Sequence, residues 1–166
     1  MDVMSEPRGP VLTAEGRMLL ERRVRRLQDV VIPELTRAMR ESERDGRDAI
    51  EFERATVELH RLMQSLSHAR LAEDLPRARG RRRAVRLGDG IELHLPDGGT
   101  ERYLVVDPVE APLDEERVSA DSPLGAAFLG RRAGDEVVVR APGHEYRCRL
   151  VAWDEGRIIA EVLPGR

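Results

Sequence analysis

The first half of the chain repeats apolar residues at the spacing of an α-helix. After Thr13, a good N-cap residue, aliphatic side chains recur in steps of three and four between positions that are mostly Arg and Glu. These aliphatic positions are Leu20, Val24, Leu27, Val31, Leu35 and Ala38. They predict one helix from Thr13 to about Arg44. Pro33 would either bend this helix or end it, and a bend is favoured because the apolar stripe continues beyond the proline.

A second apolar stripe predicts a second helix. Its positions are Phe52, Thr56, Leu59, Met63 and Leu66, and the pattern continues to about Leu71. Because the two stripes have similar lengths and a short connection, they predict an antiparallel helical hairpin, packed as a coiled coil, over residues 12–75. Gly46 in the connection is expected to adopt the left-handed conformation that ends a helix.

The connection between the two helices is acidic. Five carboxylates lie within residues 43–53: Glu43, Asp45, Asp48, Glu51 and Glu53. They indicate either a solvated turn or a tip that reaches a metal, because hard divalent cations prefer carboxylate oxygens. The residue pattern alone favours the solvated turn.

From Val85 onward the apolar period changes from 3.6 to 2, which predicts strands. The predicted strands and turns are residues 91–95, the turn Asp97–Gly98, residues 103–106 and 137–139, the turn Pro142–Gly143, and residues 146–151. Cys148 falls in the last of these strands. Residues 158–162 predict an additional edge strand. The second half is therefore expected to form a mostly antiparallel sheet, and the whole chain belongs to the α+β class.

One short helix is predicted among these strands, over residues 122–130. Ser122 or Asp121 would cap it, Pro123 would occupy its first position, and Gly130 would lie just past its end. The expected organisation is a disordered leader at residues 1–11, the hairpin at 12–75, a linker at 76–84, and a C-terminal domain at 85–166.

The linker is rich in arginine. With the residue that follows it, the basic positions are Arg77, Arg79, Arg81, Arg82, Arg83 and Arg86. This basic patch is either a solvated linker or a contact for a phosphate backbone or an acidic protein surface.

Composition excludes several classes of protein. The net charge of -3 argues against a general nucleic-acid coat, which would be basic overall. The single cysteine excludes an internal disulfide and a cysteine-based zinc site. No apolar run approaches a membrane span and no signal peptide is evident, so we expect a cytoplasmic protein without a membrane partner. No nucleophile–base pair, phosphate loop or metal cluster supports a stand-alone enzyme.

Several motifs of the chain resemble the bacterial Gre transcription factors. Thr13-x-Glu15-Gly16 and Pro33-Glu34-Leu35 are similar to parts of the first helix of that family. More specific are Gly88-Asp89-Gly90-Ile91, the Ser-Pro-Leu-Gly run that begins at Ser122, and the block at residues 129–137. The resemblance implies a coiled-coil arm followed by a domain like the FK506-binding proteins, without isomerase activity.

The resemblance also implies a partner and a mechanism. Gre factors bind core RNA polymerase at its secondary channel, and the arm reaches the active site, near the nascent RNA or DNA of the elongation complex. Two acidic tip residues help to hold a second magnesium while the polymerase cuts the transcript. The protein itself would be a monomer with no catalytic residues and no cofactor, apart from magnesium shared with the polymerase. The corresponding polymerase-contact residues would be Asp121, Ser122, Pro123 and Leu124.

The tip departs from the family pattern Gly-Asp-Leu-x-Glu-Asn-Ala-Glu-Tyr. Asp48 and Glu51 keep the spacing of the two acids, with Asp45 as a further candidate, but Phe52 replaces the Asn and no Tyr follows. The carboxylates are present without the residues that support them. The sequence therefore favours a factor that inhibits or modulates the polymerase over a full cleavage factor. A non-catalytic coiled-coil adaptor with a β-rich docking domain is the alternative.

Overall fold

The computed structural model describes residues 9–41, 46–78 and 83–165. The chain forms two compact units, of which the first contains Ala14–Arg70 and the second contains Val11–Thr13 and Leu71–Arg166. Two short strands, β1 (Val11–Leu12) and β2 (Arg70–Leu71), form a two-stranded sheet. The expectation of disorder up to residue 11 is therefore wrong for Val11, whose backbone is in a strand. Residues 1–8 of the expected leader lie outside the described residues.

The first unit is a pair of packed helical arms. The first arm contains α1 (Ala14–Arg26), a π-helical segment (Leu27–Val31) and α2 (Ile32–Glu41). The second arm is α3 (Gly46–Ser67), which contacts both α1 and α2. All six aliphatic positions of the predicted first stripe are buried or half-buried, which confirms that stripe.

Pro33 lies inside the first arm without ending it. A proline lacks an N–H, and its ring crowds the carbonyl four residues earlier, which here belongs to Asp29. That residue lies in the π-helical segment directly before α2, where the turn is wider than in an α-helix. The arm therefore stays helical from Ala14 to Glu41, as the continuing apolar stripe predicted.

The buried side of α3 differs from the predicted seam at two positions. Phe52, Leu59 and Leu66 are half-buried as expected, but Ala55 and Leu62 are buried, whereas Thr56 and Met63 are exposed. In a heptad seam, the residue after Phe52 can lie three or four positions later. The structure uses the step of three, which leads to Ala55, whereas the prediction used the step of four, which leads to Thr56.

The conformation of Gly46 also differs from the prediction. Gly46 is the first residue of α3 and lacks a positive φ, so it begins a helix rather than ending one in the left-handed conformation.

The second unit contains a six-stranded sheet in the order β5-β4-β3-β8-β7-β6. Its strands are β3 (Gly90–His94), β4 (Thr100–Val106), β5 (Arg117–Ser119), β6 (Glu136–Ala141), β7 (His144–Asp154) and β8 (Arg157–Leu163). The pairs β3–β4, β6–β7 and β7–β8 are antiparallel, whereas β3–β8 and β4–β5 are parallel. Short 3-10 turns occupy Ala72–Asp74 and Ala111–Leu113.

The prediction that residues 158–162 form an edge strand is wrong. β8 lies inside the sheet, paired with β3 on one side and β7 on the other. Ile158 and Ala160 are fully buried in the core.

One face of the sheet packs on a short helix, α4 (Pro123–Phe128), whose Phe128 is fully buried in the core. The Ser122 side chain caps α4 by accepting a hydrogen bond from the Gly125 N–H at 3.1 Å. Gly130 follows the helix with a φ of 80°, where a side chain would be strained. The prediction of a short capped helix is confirmed, and Ser122 rather than Asp121 is the cap.

Cys148 is expected to react slowly with thiol reagents in the folded protein. The side chain is fully buried, and burial raises its pKa to about 11, so that the reactive thiolate is scarce at neutral pH. Ellman's reagent should label Cys148 rapidly only after the protein is unfolded in guanidinium. Equally fast labelling of folded and unfolded protein would contradict the buried position.

Candidate functional site

The described part of the acidic tip lies at the start of α3. Asp48 is in the first turn and half-buried, whereas Glu51, three residues later, is exposed. Side chains at this spacing are neighbours on a helix surface. Asp48 is four residues before Phe52, so it continues the seam side of α3. Asp45, the third tip candidate, lies outside the described residues.

Both carboxylates have suitable chemistry for a metal, and Asp48 has a structural role as well. A carboxylate in the first turn interacts favourably with the positive end of the helix dipole, which accounts for Asp48 without a ligand. Magnesium prefers six oxygen ligands, and among the described residues no three His, Cys, Asp or Glu side chains are grouped to hold a metal. Asp48 and Glu51 offer the right atoms but too few of them, so another molecule would have to supply the rest.

The second candidate surface is the turn that leads into α4. Its backbone is held by the Ser122 hydroxyl, which donates to the Ser119 carbonyl at 2.7 Å, and by the Asp121 N–H, which donates to Ser119 Oγ at 3.1 Å. The turn also approaches the helix closely, because a Cβ at Gly125 would lie 2.1 Å from the Ser119 carbonyl oxygen. The turn is therefore rigid.

The four predicted contact residues in this turn divide into two kinds. Asp121 and Pro123 are exposed. Ser122 is half-buried and caps the helix, while Leu124 is half-buried and packs against the core. Replacing Ser122 would change the helix as well as the surface, so Asp121 and Pro123 are the cleaner probes of this turn.

The described arginines of the basic patch surround one buried carboxylate. Asp89 has a side chain only 4% exposed; its Oδ1 lies 3.2 Å from Arg83 Nη2 and 3.8 Å from Arg77 Nη1. Its Oδ2 accepts the backbone N–H of Arg86 at 3.0 Å. The Arg86 guanidinium binds the backbone carbonyls of Leu75 and Pro76. The sequence identified the arginines but not Asp89 as their common partner.

Arg83 has a second partner, the only tryptophan of the chain. Its guanidinium carbon lies 3.8 Å from the centre of the Trp153 ring, in the position of a cation–π contact. Arg79, Arg81 and Arg82 lie outside the described residues.

A buried ion pair lies elsewhere in the second unit, where sequence reasoning found nothing. Glu110 is fully buried; its Oε1 accepts the Thr13 N–H at 2.6 Å and its Oε2 accepts the Thr13 hydroxyl at 2.8 Å. Arg117 Nε lies 3.7 Å from Glu110 Oε2, and the same guanidinium pairs with Asp114. Burial raises the pKa of Glu110, while the Thr13 hydrogen bonds and Arg117 act in the opposite direction.

Replacing Glu110 by Ala should destabilise the protein by about 3 kcal/mol, because it leaves Arg117 buried with less compensation. Asp114 still pairs with Arg117 and keeps the loss at the lower end of the range for broken buried pairs. Chemical unfolding followed through Trp153 fluorescence measures the change. Glu115→Ala, at an exposed neighbouring position, is the control and should leave stability unchanged. Equal stability of the two variants would contradict a structural role for Glu110.

The sequence of the chain is similar to that of known transcription factors. Residues 81–153 match the family described as transcription elongation factor, GreA/GreB, C-term. The chain is 34% identical over 149 residues to transcription elongation factor GreA of Geobacillus kaustophilus, covering 85% of this chain and 94% of that protein. It is 33% identical over 150 residues to GreA of Thermotoga neapolitana, covering 84% and 94%. The crystal structure of GreA factor homolog 1 (Gfh1) of Thermus thermophilus matches at 30% identity with a TM-score of 0.37, over 87% of this chain and 98% of that one.

The family match and the two GreA relatives define the protein as a transcription elongation factor. More narrowly, the chain belongs to the GreA/GreB family. The resemblance found in the sequence motifs is thereby confirmed. The prediction of a regulator rather than an enzyme is confirmed as well, because the matched relatives are transcription factors. No helix formed by the described residues is both long and apolar enough to cross a membrane.

Proposed function

We propose that this protein binds core RNA polymerase, inserts its helical hairpin into the secondary channel and modulates elongation through the tip carboxylates Asp48 and Glu51. The main support is membership of the GreA/GreB family, shown by 34% identity to a GreA protein over 85% of this chain. The position of both carboxylates at the start of α3 fits this function, because a helical arm can present them at its end. Any transcript cleavage would be performed by the polymerase, with magnesium and phosphate oxygens completing the set of ligands.

The second unit would supply the docking surface. In this proposal it is related to the FK506-binding proteins, and the turn before α4 contacts the polymerase. Asp121 and Pro123 would touch the partner because they are exposed, while Ser122 and Leu124 would hold the turn in shape. A rigid turn loses little conformational entropy on binding, which favours affinity.

We further propose that the tip inhibits the polymerase more than it stimulates cleavage. Phe52 occupies the position of the family Asn, is half-buried on the seam side of α3, and has no polar group to orient Asp48 or Glu51. Loss of the residues that orient metal ligands commonly costs about 10- to 100-fold in metal affinity. A tip that holds magnesium poorly would still occupy the channel.

Binding to core RNA polymerase is the direct test of the proposed function. Immobilised full-length protein should retain the core enzyme, whereas a coiled-coil adaptor with an unrelated partner should not. Failure to retain the enzyme would refute the polymerase assignment. Binding without any effect on nucleotide addition or transcript cleavage would refute the role of the tip alone.

The docking turn gives a sharper prediction. Asp121→Arg combined with Pro123→Ala should lower affinity for core RNA polymerase by about tenfold or more, because both side chains are exposed at the proposed contact. The melting temperature should change little, since the cap and the packed Leu124 are intact. Asp154→Arg makes the same charge change at another exposed position and should bind normally. Unchanged affinity of the double variant would remove this turn from the interface.

A further inference from the structure

A cavity in the second unit lies beside the described part of the basic patch. Its volume is about 160 Å³, and it is lined by Arg77, Arg83, Arg86 and Asp89 together with Pro76, Ala78 and Ala84. This volume is well above the roughly 15 Å³ that a single water molecule needs, so a tetrahedral anion fits. We call it the arginine pocket.

The arginine pocket carries excess positive charge. Three arginines line the pocket with a single carboxylate, Asp89, which leaves a net charge of about two positive units by simple counting. The local sequence strengthens this field, because residues 75–88 contain no Asp or Glu in a chain whose net charge is -3. Positive charge concentrated in a concave site attracts anions.

The contacts of Asp89 show which arginines can turn toward a ligand. Among the described residues, Arg77 contacts Asp89 only at 3.8 Å, and its side chain is 41% exposed. Arg83 uses one nitrogen on Asp89 at 3.2 Å and is 24% exposed. A guanidinium has five N–H donors in a planar fork that suits phosphate oxygens, so both side chains have donors to spare.

We propose that the arginine pocket binds a phosphate group of a nucleic-acid backbone, with Arg77 and Arg83 shared between that phosphate and Asp89. A phosphate backbone is favoured over an acidic protein because the sequence continues the positive charge with Arg79, Arg81 and Arg82, which suits an evenly charged polyanion. The proposed function supplies the source of the nucleic acid, the elongation complex, and this part of the inference rests on it. The binding chemistry does not depend on the polymerase.

Trp153 provides a built-in reporter of this binding. It is the only tryptophan, and the Arg83 guanidinium lies over its ring. A phosphate that draws Arg83 toward the pocket weakens this cation–π contact. Binding should therefore change Trp153 emission in parallel with the occupancy of the pocket.

The test uses full-length protein and a short, labelled single-stranded RNA. Anisotropy and Trp153 emission should report the same affinity, which falls steeply with salt. Arg77→Gln combined with Arg83→Gln should weaken binding several-fold and reduce the slope of log K against log salt by about 0.7 for each phosphate that is no longer neutralised. The matched control, Arg102→Gln combined with Arg140→Gln, removes two exposed arginines elsewhere on the sheet and should bind almost as the wild type.

Competition experiments distinguish a phosphate backbone from an acidic protein as the ligand of the arginine pocket. Inorganic phosphate should compete for the pocket and change Trp153 emission, and polyglutamate of equal charge should compete much less. Stronger binding of polyglutamate than of RNA would overturn the proposal in favour of an acidic protein partner. The proposal would also be overturned if the pocket variant and the control variant lost the same RNA affinity, because any surface arginine would then contribute equally to RNA binding.

A single variant and a polymerase-binding measurement complete the test. If the double variant unfolds, Arg77→Gln alone tests the same pocket through its more exposed and more weakly paired arginine; wild-type RNA affinity in that variant would overturn the proposal. Retention of core RNA polymerase is measured on the same samples. RNA binding that fails while polymerase binding persists defeats this inference and leaves the proposed function intact.

Discussion

A chain that ends at Trp153 is expected to lose the fold of its second unit. The deletion removes β8, which pairs with both β3 and β7 and places Ile158 and Ala160 in the core. Without it, two interior strands become edges with unpaired backbone groups, and the core opens between them. Hydrogen exchange over residues 83–153 should show this loss directly, whereas far-UV circular dichroism would be dominated by the helices of the first unit.

The control is a chain that ends at Leu163, which removes only residues 164–166 and keeps β8 whole. It should retain full protection in β3 and β7. Slow exchange in the chain that ends at Trp153 would show that β8 is dispensable, and the sheet order described above would then be wrong.

Strand β8 could be predicted from the sequence, but its position inside the sheet could not. Alternation predicted a strand at residues 158–162, but alternation is local and carries no information about neighbours. β8 is parallel to β3, a pairing between segments separated by most of the unit, and parallel pairs have no hairpin turn to announce them. β5 was missed for a related reason: it is three residues long, and its first residue is the buried Arg117, which gives no apolar signal.

The helices were easier to predict because their signal is repeated. Six positions of the first arm agree with the structure. In α3 the prediction is wrong by one residue at two positions: it placed Thr56 and Met63 on the seam, whereas the structure buries their neighbours Ala55 and Leu62. Burial in α3 follows the register that faces α1 and α2 and not the hydrophobicity of single residues.

Among the candidate sites, a local helix cap could be predicted from the sequence, and interactions that depend on the fold could not. The cap at Ser122 was predictable because capping is local. Glu110 was not, because it follows no pattern and its partner Thr13 is 97 residues away in the sequence. Asp89 was likewise not predicted as a partner of the arginines, and only the fold places it among three of them.

Replacing both tip carboxylates should relieve inhibition of RNA polymerase while leaving binding unchanged. Asp48 and Glu51 lie in the described start of α3, whereas the turn at Asp121 and Pro123 that we propose for docking belongs to the second unit. In the free protein these two carboxylates are too few to hold magnesium, so their effect should appear only in the complex. Asp48→Ala combined with Glu51→Ala should therefore restore nucleotide addition toward the rate without the factor.

The measurement compares the wild type with this double variant on a stalled elongation complex, following nucleotide addition and transcript length together. Glu41→Ala combined with Glu53→Ala is the matched control, because it removes two exposed carboxylates from the same arms and should inhibit like the wild type. Since Phe52 gives the tip carboxylates no polar support, the wild type should shorten backtracked transcripts weakly or not at all. If the wild type instead shortens them readily and Asp48→Ala–Glu51→Ala does not, the protein is a cleavage factor, and two carboxylates suffice for that activity without the family Asn.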